Sequence, residues 1–256
     1  MQLMQLMQHP GLRTLRLAAV NVDGVLLNDT FSPVIHRLVV KHGVVYTPEL
    51  EKAVLSQPRE RAARVLAGAL GAGAGGPRQI AEAFFEERER YMRSHPLRPL
   101  DGAGELLRRL RALGLAVVCY GGMDARFVEE HLAVFRPLLA APHYIATDGF
   151  RPGIREITED HFALARGQVL FIDDAVTFAE RARELDVPFI GHPSGFEHGF
   201  QRRLMREAGV RHTVRSLHEI DEQLVRVLDR EAYEGTVWQE SRRPAGPVAG
   251  ARGARP

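Results

Sequence analysis

Two polar side chains, Asn21 and Asp23, stand at the end of the apolar run Leu17-Ala18-Ala19-Val20, and Gly24 follows them. Residues i and i+2 of an extended strand point to the same side, so the amide and the carboxyl are presented together where a buried parallel strand ends. A second run, Val169-Leu170-Phe171-Ile172, ends in the acid pair Asp173-Asp174. A third, Ala116-Val117-Val118-Cys119, ends in Tyr120-Gly121-Gly122. Carboxyls gathered at strand ends suit general acid/base work or a hard cation such as Mg2+, which takes oxygen ligands. The glycines can offer backbone N–H groups to an anion, and Arg151 in Phe150-Arg151-Pro152-Gly153-Ile154-Arg155 adds a forked cation, with Arg155 as second candidate. Each feature also has a plainer reading: acids that cap a helix, glycines in a turn, arginines on the surface. Asn21 is a poor nucleophile, because its oxygen is neutral and its nitrogen lone pair is delocalised.

The elements that must carry these groups alternate. Strands are expected over 13–22, 115–120, 143–147, 169–174 and 187–190. Helices are expected over 103–113, from Asp124 to about 135, and over 156–166, 175–185, 200–208 and 217–228. Such alternation predicts a parallel α/β sheet. Between 31 and 98 the texture is different, with apolar residues at helical spacing: Val34, Ile35, Leu38 and Val39, then Ala62, Val65, Leu66 and Leu70, then Ile80, Ala83, Phe84 and Tyr91. This predicts a helical domain inserted after the first strand, broken by a loop at Gly71-Ala72-Gly73-Ala74-Gly75-Gly76-Pro77. An unstructured lead is expected over 1–12, an α/β core over 13–30 and 99–230, and a disordered tail rich in Arg, Gly and Pro over 241–256.

Composition narrows the partners. A net charge of +2 argues against nucleic acid and anionic membranes, while a pI near 8.9 leaves small anions welcome. Of the 34 basic residues only Lys41 and Lys52 are lysine, so no lysine follows position 52. The single cysteine, Cys119, excludes an internal disulfide and fits a reducing compartment; with no signal-like start and no membrane-length apolar run, the cytoplasm is the expected location.

Asn21-Val22-Asp23-Gly24-Val25-Leu26 resembles the first motif of the haloacid dehalogenase-like (HAD) superfamily, a hydrophobic strand followed by Asp-x-Asp-Gly-(Thr/Val)-Leu, with the nucleophilic Asp replaced by Asn21. Asp173-Asp174, with the helix and strand that follow, resembles the acidic pair of the fourth motif, which holds Mg2+. The second motif's Ser or Thr is replaced by Tyr120 or Gly121, and the third motif's Lys by Arg151. The resemblance implies a Rossmann-like doubly wound sheet with an inserted helical C1 cap over 31–98. It also implies Asp23 as general acid/base, phosphate contacts from Tyr120, Gly121, Gly122 and Arg151, and a weakened Mg2+ site of Asp23, Asp173, Asp174 and Asn21.

Further candidates are Cys119 as a substitute nucleophile, Lys41 and Lys52 as lysines poised over the site, and His192 and His198 as ligand contacts. Plainer roles in packing or at the surface are preferred for all of them. Three functions follow. The first is a hydrolase-scaffold protein acting on or binding a small anionic metabolite, phosphorylated or not, without an aspartyl-phosphate. The others are an inactive pseudoenzyme serving as a binding or partner protein, and an ordinary Mg2+-dependent phosphatase.

Overall fold

A computed structural model describes residues 11–239. The expected tail and most of the expected lead lie outside them, whereas Leu12 packs against the core.

Five strands form one parallel sheet: β1 (Leu17–Asn21), β2 (Ala116–Gly121), β3 (Tyr144–Ala146), β4 (Val169–Asp173) and β5 (Phe189–Gly191), in the order β3-β2-β1-β4-β5. The apolar residues of β1 alternate between the two faces. Ala18 and Val20 pack with Leu106, Leu107 and Leu110 of α5 (Ala103–Ala112) and Leu228 of α9 (Glu222–Glu234). Leu17 and Ala19 pack with Phe178 and Ala179 of α7 (Val176–Glu184) and Met205 of α8 (Gln201–Glu207). Burial on both faces explains why the strands read as continuous apolar runs. The strand order reverses beside β1, and ligands of open α/β sheets bind outside the carboxyl ends of strands at such a switch point.

Between β1 and α5 come four helices, α1 (Ser32–Lys41), α2 (Pro48–Val54), α3 (Arg59–Leu70) and α4 (Pro77–Ser94), with an apolar cluster of their own that includes Val34, Leu38, Leu66, Ile80 and Phe84. The glycine-rich break is a short 3-10 turn, Ala72–Ala74, framed by Gly71 and Gly75 at φ 82° and 93°, a backbone region that glycine enters freely.

Several boundaries differ from expectation for local reasons. β1 starts at Leu17 rather than 13 because the N–H groups of Arg13, Thr14 and Leu15 donate to the Asp229 carboxylate at 2.7–2.9 Å instead of entering the sheet. The helix after Asp124, α6 (Ala125–Leu132), gives way to a 3-10 stretch, Ala133–Leu138, that contains Pro137. The helix expected over 156–166 is one wide turn, Glu156–His161. The helix expected over 217–228 splits, because Asp221 caps a new start by accepting from Leu224 N at 2.8 Å.

Candidate functional site

Asn21, the last residue of β1, donates both amide hydrogens: Nδ2 lies 3.0 Å from the Asp23 backbone oxygen and 3.0 Å from Asp174 Oδ1. The turn that follows is possible because position 24 is glycine. Gly24 has φ 83°, and a Cβ there would stand 2.2 Å from Asp174 Oδ2. The turn thus lets the β1 loop close against the acid beyond β4.

Asp23 faces away from that pair toward the inserted helices. Its Oδ1 accepts from Thr30 N at 3.0 Å and its Oδ2 from Thr30 Oγ1 at 2.8 Å, while Arg88 of α4 reaches Oδ2 with Nη2 at 3.2 Å and Thr30 Oγ1 with Nε at 2.8 Å. Burial raises the Asp23 carboxyl to about 6; Arg88 and the Thr30 hydrogen bonds pull it down, and Asp29 pushes it up. Asp29 accepts from Phe31 N and Ser32 N through Oδ1, which opens α1.

The acid pair after β4 splits. Asp173 is fully buried, its Oδ2 accepting from Tyr120 OH at 2.6 Å and its Oδ1 from Ala175 N at 2.8 Å. Burial lifts its carboxyl, against the opposing pull of Arg151 and Tyr120. Asp174 stands just past β4, its carboxyl held well above the usual range by burial and then by its acidic neighbours Asp173, Asp29 and Asp23.

Two expectations are corrected by this geometry. Tyr120 does not offer its hydroxyl to a ligand, because the ring is packed against Phe171 and Phe178 and the hydroxyl is spent on Asp173. The four groups expected to hold Mg2+ do not form one seat either. Both Asp173 oxygens already accept hydrogen bonds, and the Asn21 amide points its hydrogens at the Asp23 and Asp174 oxygens that a cation would need. Among the described residues no three His, Cys, Asp or Glu side chains converge on a metal position. The residues present therefore do not fit the ion.

A cleft opens between the strand ends and the inserted helices, and Asn21, Asp23, Gly121, Gly122, Arg151 and Asp174 all line its floor. Thr147 fixes the end of β2 by donating from N and Oγ1 to the Gly121 carbonyl at 2.8 and 3.0 Å. Gly122 makes room for Arg151, since a Cβ there would lie 2.5 Å from its Nη1. Arg151 donates from Nη2 to Ser56 Oγ at 2.9 Å, and its Nε is buried without an acceptor among the described residues.

Other candidates lie elsewhere. Cys119 is fully buried and its thiol is pushed up by burial. Lys52 pairs with Glu180, and Lys41 is exposed at the end of α1. His192 is buried with Nδ1 3.1 Å from the Gly24 carbonyl, and His198 stacks on His36 at 4.4 Å. Arg155 meets Glu156 and Asp160.

Sequence reasoning missed Arg88. The signal was present: Arg88 continues the Ile80, Phe84 stripe at spacing four, a charge on the apolar face of α4. Thr30, Asp29 and Ser56 carried no comparable mark.

No protein-family model and no curated protein matches the chain. Solved structures do. A HAD family hydrolase from Deinococcus radiodurans with bound phosphate and sodium is 17% identical, with TM-score 0.54 over 84% of this chain and 97% of that one. A haloacid dehalogenase-like protein of unknown function from Agrobacterium tumefaciens is 15% identical, TM-score 0.60, over 83% and 99%. A HAD hydrolase of family IA, variant 3, from Entamoeba histolytica is 12% identical, TM-score 0.61, over 84% and 100%. With a parallel sheet ordered β3-β2-β1-β4-β5 and polar groups at its carboxyl ends, the chain carries the haloacid dehalogenase-like fold.

Proposed function

We propose that this protein binds a small anionic metabolite, phosphorylated or otherwise, in the cleft between sheet and insert, and that no phosphoryl group is transferred to residue 21. In this reading the helices of 31–98 act as the C1 cap. Arg151 and the backbone at Gly121-Gly122 receive the anion, and Asn21, Asp23 and Asp174 shape the floor.

The observation that carries the reading is the Asn21 amide, closed by hydrogen bonds onto the Asp23 carbonyl and Asp174. A neutral amide held as a donor to two oxygens is neither an attacking group nor an anionic ligand. The phosphate bound by the Deinococcus hydrolase, which shares the fold, makes inorganic phosphate the first ligand to try.

Acid/base hydrolysis of such a metabolite is the second reading, favoured by one observation: Asp23 lines the cleft with its carboxyl raised to about 6, near the working range of a general acid or base. Phosphate release from a panel of phosphomonoesters, with and without Mg2+, tests both readings beside Asn21→Asp. The binding reading expects no release by the wild type and a rise in melting temperature with phosphate. Release that vanishes in Asp23→Asn without any phosphoprotein establishes the second. A phosphorylated wild-type intermediate overturns both and establishes an ordinary phosphatase.

A further inference from the structure

The cleft's walls and its floor differ in chemistry. Above the strand ends the wall is apolar: Phe31 and Ile35 at the start of α1, Leu66 of α3, and Ile80, Phe84 and Phe85 of α4 all line it. The carboxylates on its rim and floor already have donors inside the protein. Asp23 has Thr30 and Arg88, Asp174 has Asn21, and Asp148 accepts from Arg59 N at 3.1 Å with the Arg59 Nε 3.7 Å from its other oxygen. The Arg59 guanidinium also lies 4.7 Å from the centre of the Phe85 ring. Arg151 is different. Among the described residues its Nη2 donates to the neutral Ser56 hydroxyl, and its buried Nε has no acceptor. Its Nη1 stands over Gly122, where a Cβ would lie 2.5 Å away, and both residues line the cleft, so the guanidinium presents a cationic fork suited to an oxyanion.

We infer that the cleft takes an amphipathic oxyanion, with its phosphate or carboxylate head on Arg151 and an apolar body of about six carbons against the inserted helices. The inference rests on the anion-binding reading above and narrows it, since a purely polar metabolite would leave the apolar wall in contact with water. The cavity volume of ≈ 120 Å³ sets an upper limit of about six carbons on that body, since an engineered cavity of about 150 Å³ lined by Leu, Ile and Phe accepts benzene.

The test is calorimetric titration of the full chain with hexyl phosphate, hexanoate, inorganic phosphate and hexanol. Hexyl phosphate or hexanoate is expected to bind at least about tenfold more tightly than inorganic phosphate, with about a fourfold gain per methylene from propyl to hexyl. The tighter of the two identifies the head group. Ala62 of α3 and Ala81 of α4 both line the cleft; Ala62→Phe, which fills it, should abolish that advantage while inorganic phosphate binds as before, and Ala81→Leu repeats the test should the first variant fail to fold. Arg151→Gln should weaken every anion and leave hexanol unchanged.

Inorganic phosphate binding as tightly as hexyl phosphate overturns the amphipathic ligand and leaves the anion reading standing. Hexanol binding as tightly as hexyl phosphate overturns the anion reading and this inference together. A folded protein that binds neither hexyl phosphate nor hexanoate overturns the inference.

Discussion

Helices α4 and α2 both reach from the insert to the core, and they do so by different physics. From α4, Arg88 meets Asp23 with side chains only 3% and 15% exposed, a charge pair withdrawn from water and completed by Thr30. From α2, Lys52 meets Glu180 with side chains 41% and 38% exposed. Beside it, buried Glu51 accepts from Phe200 N and Gln201 Nε2, neutral donors of the core. Removing one member of a buried pair strands the other charge, whereas water screens and replaces the partner of an exposed one. The Arg88–Asp23 pair, which touches the candidate site, is therefore the sensitive ion pair between insert and core, and the exposed Lys52–Glu180 pair the tolerant one.

Four substitutions sharpen or break that contrast. Arg88→Leu should lower stability by about 3–5 kcal/mol in urea denaturation, and adding Asp23→Asn should recover most of it; a loss no larger than that at Lys52 would erase the difference between the pairs. A pH titration of stability comes next. The Asp23 carboxyl titrates at about 6 in the folded protein against an ordinary value of 3.8, so the folded state holds the proton more tightly. Its contribution is complete below pH 3.8 and is lost as pH rises through about 6. Wild-type stability relative to Asp23→Asn should accordingly fall by up to about 3 kcal/mol between about pH 4 and pH 7, read from denaturation midpoints. Tyr120→Phe should cost about 1–3 kcal/mol by leaving buried Asp173 Oδ2 without its donor, measured by thermal unfolding. Lys52→Met should cost less than about 1 kcal/mol, and raising the salt concentration should shrink that cost further.

Much of the scaffold was legible in the sequence. Apolar runs ending in polar residues marked β1, β2 and β4, because a strand buried on both faces needs a continuous apolar sequence and releases its polar groups only where it ends. The helices of the insert showed in the 3.6 period of Val34, Leu38, Leu66 and Ile80. Boundaries drifted where a distant side chain intervened: Asp229 captures the backbone before β1, some 215 residues away in the chain. The candidate site was legible in part. Asn21, Asp23, Gly121, Gly122, Arg151 and Asp174 do come to one cleft, but Tyr120 and Asp173 turn to each other.

What the sequence by itself determined is local: an amide rather than an acid at the end of β1, glycine at the turn after it, and a chain of strands and helices able to form a parallel sheet. Only the tertiary structure decided which polar groups satisfy one another. Arg88 lies 65 positions from Asp23, and Tyr120 lies 53 from Asp173. Hydrogen bonds of the burial and geometry seen there depend on packing that brings remote elements within 2.6 to 3.2 Å, and no period or motif along the chain encodes that distance.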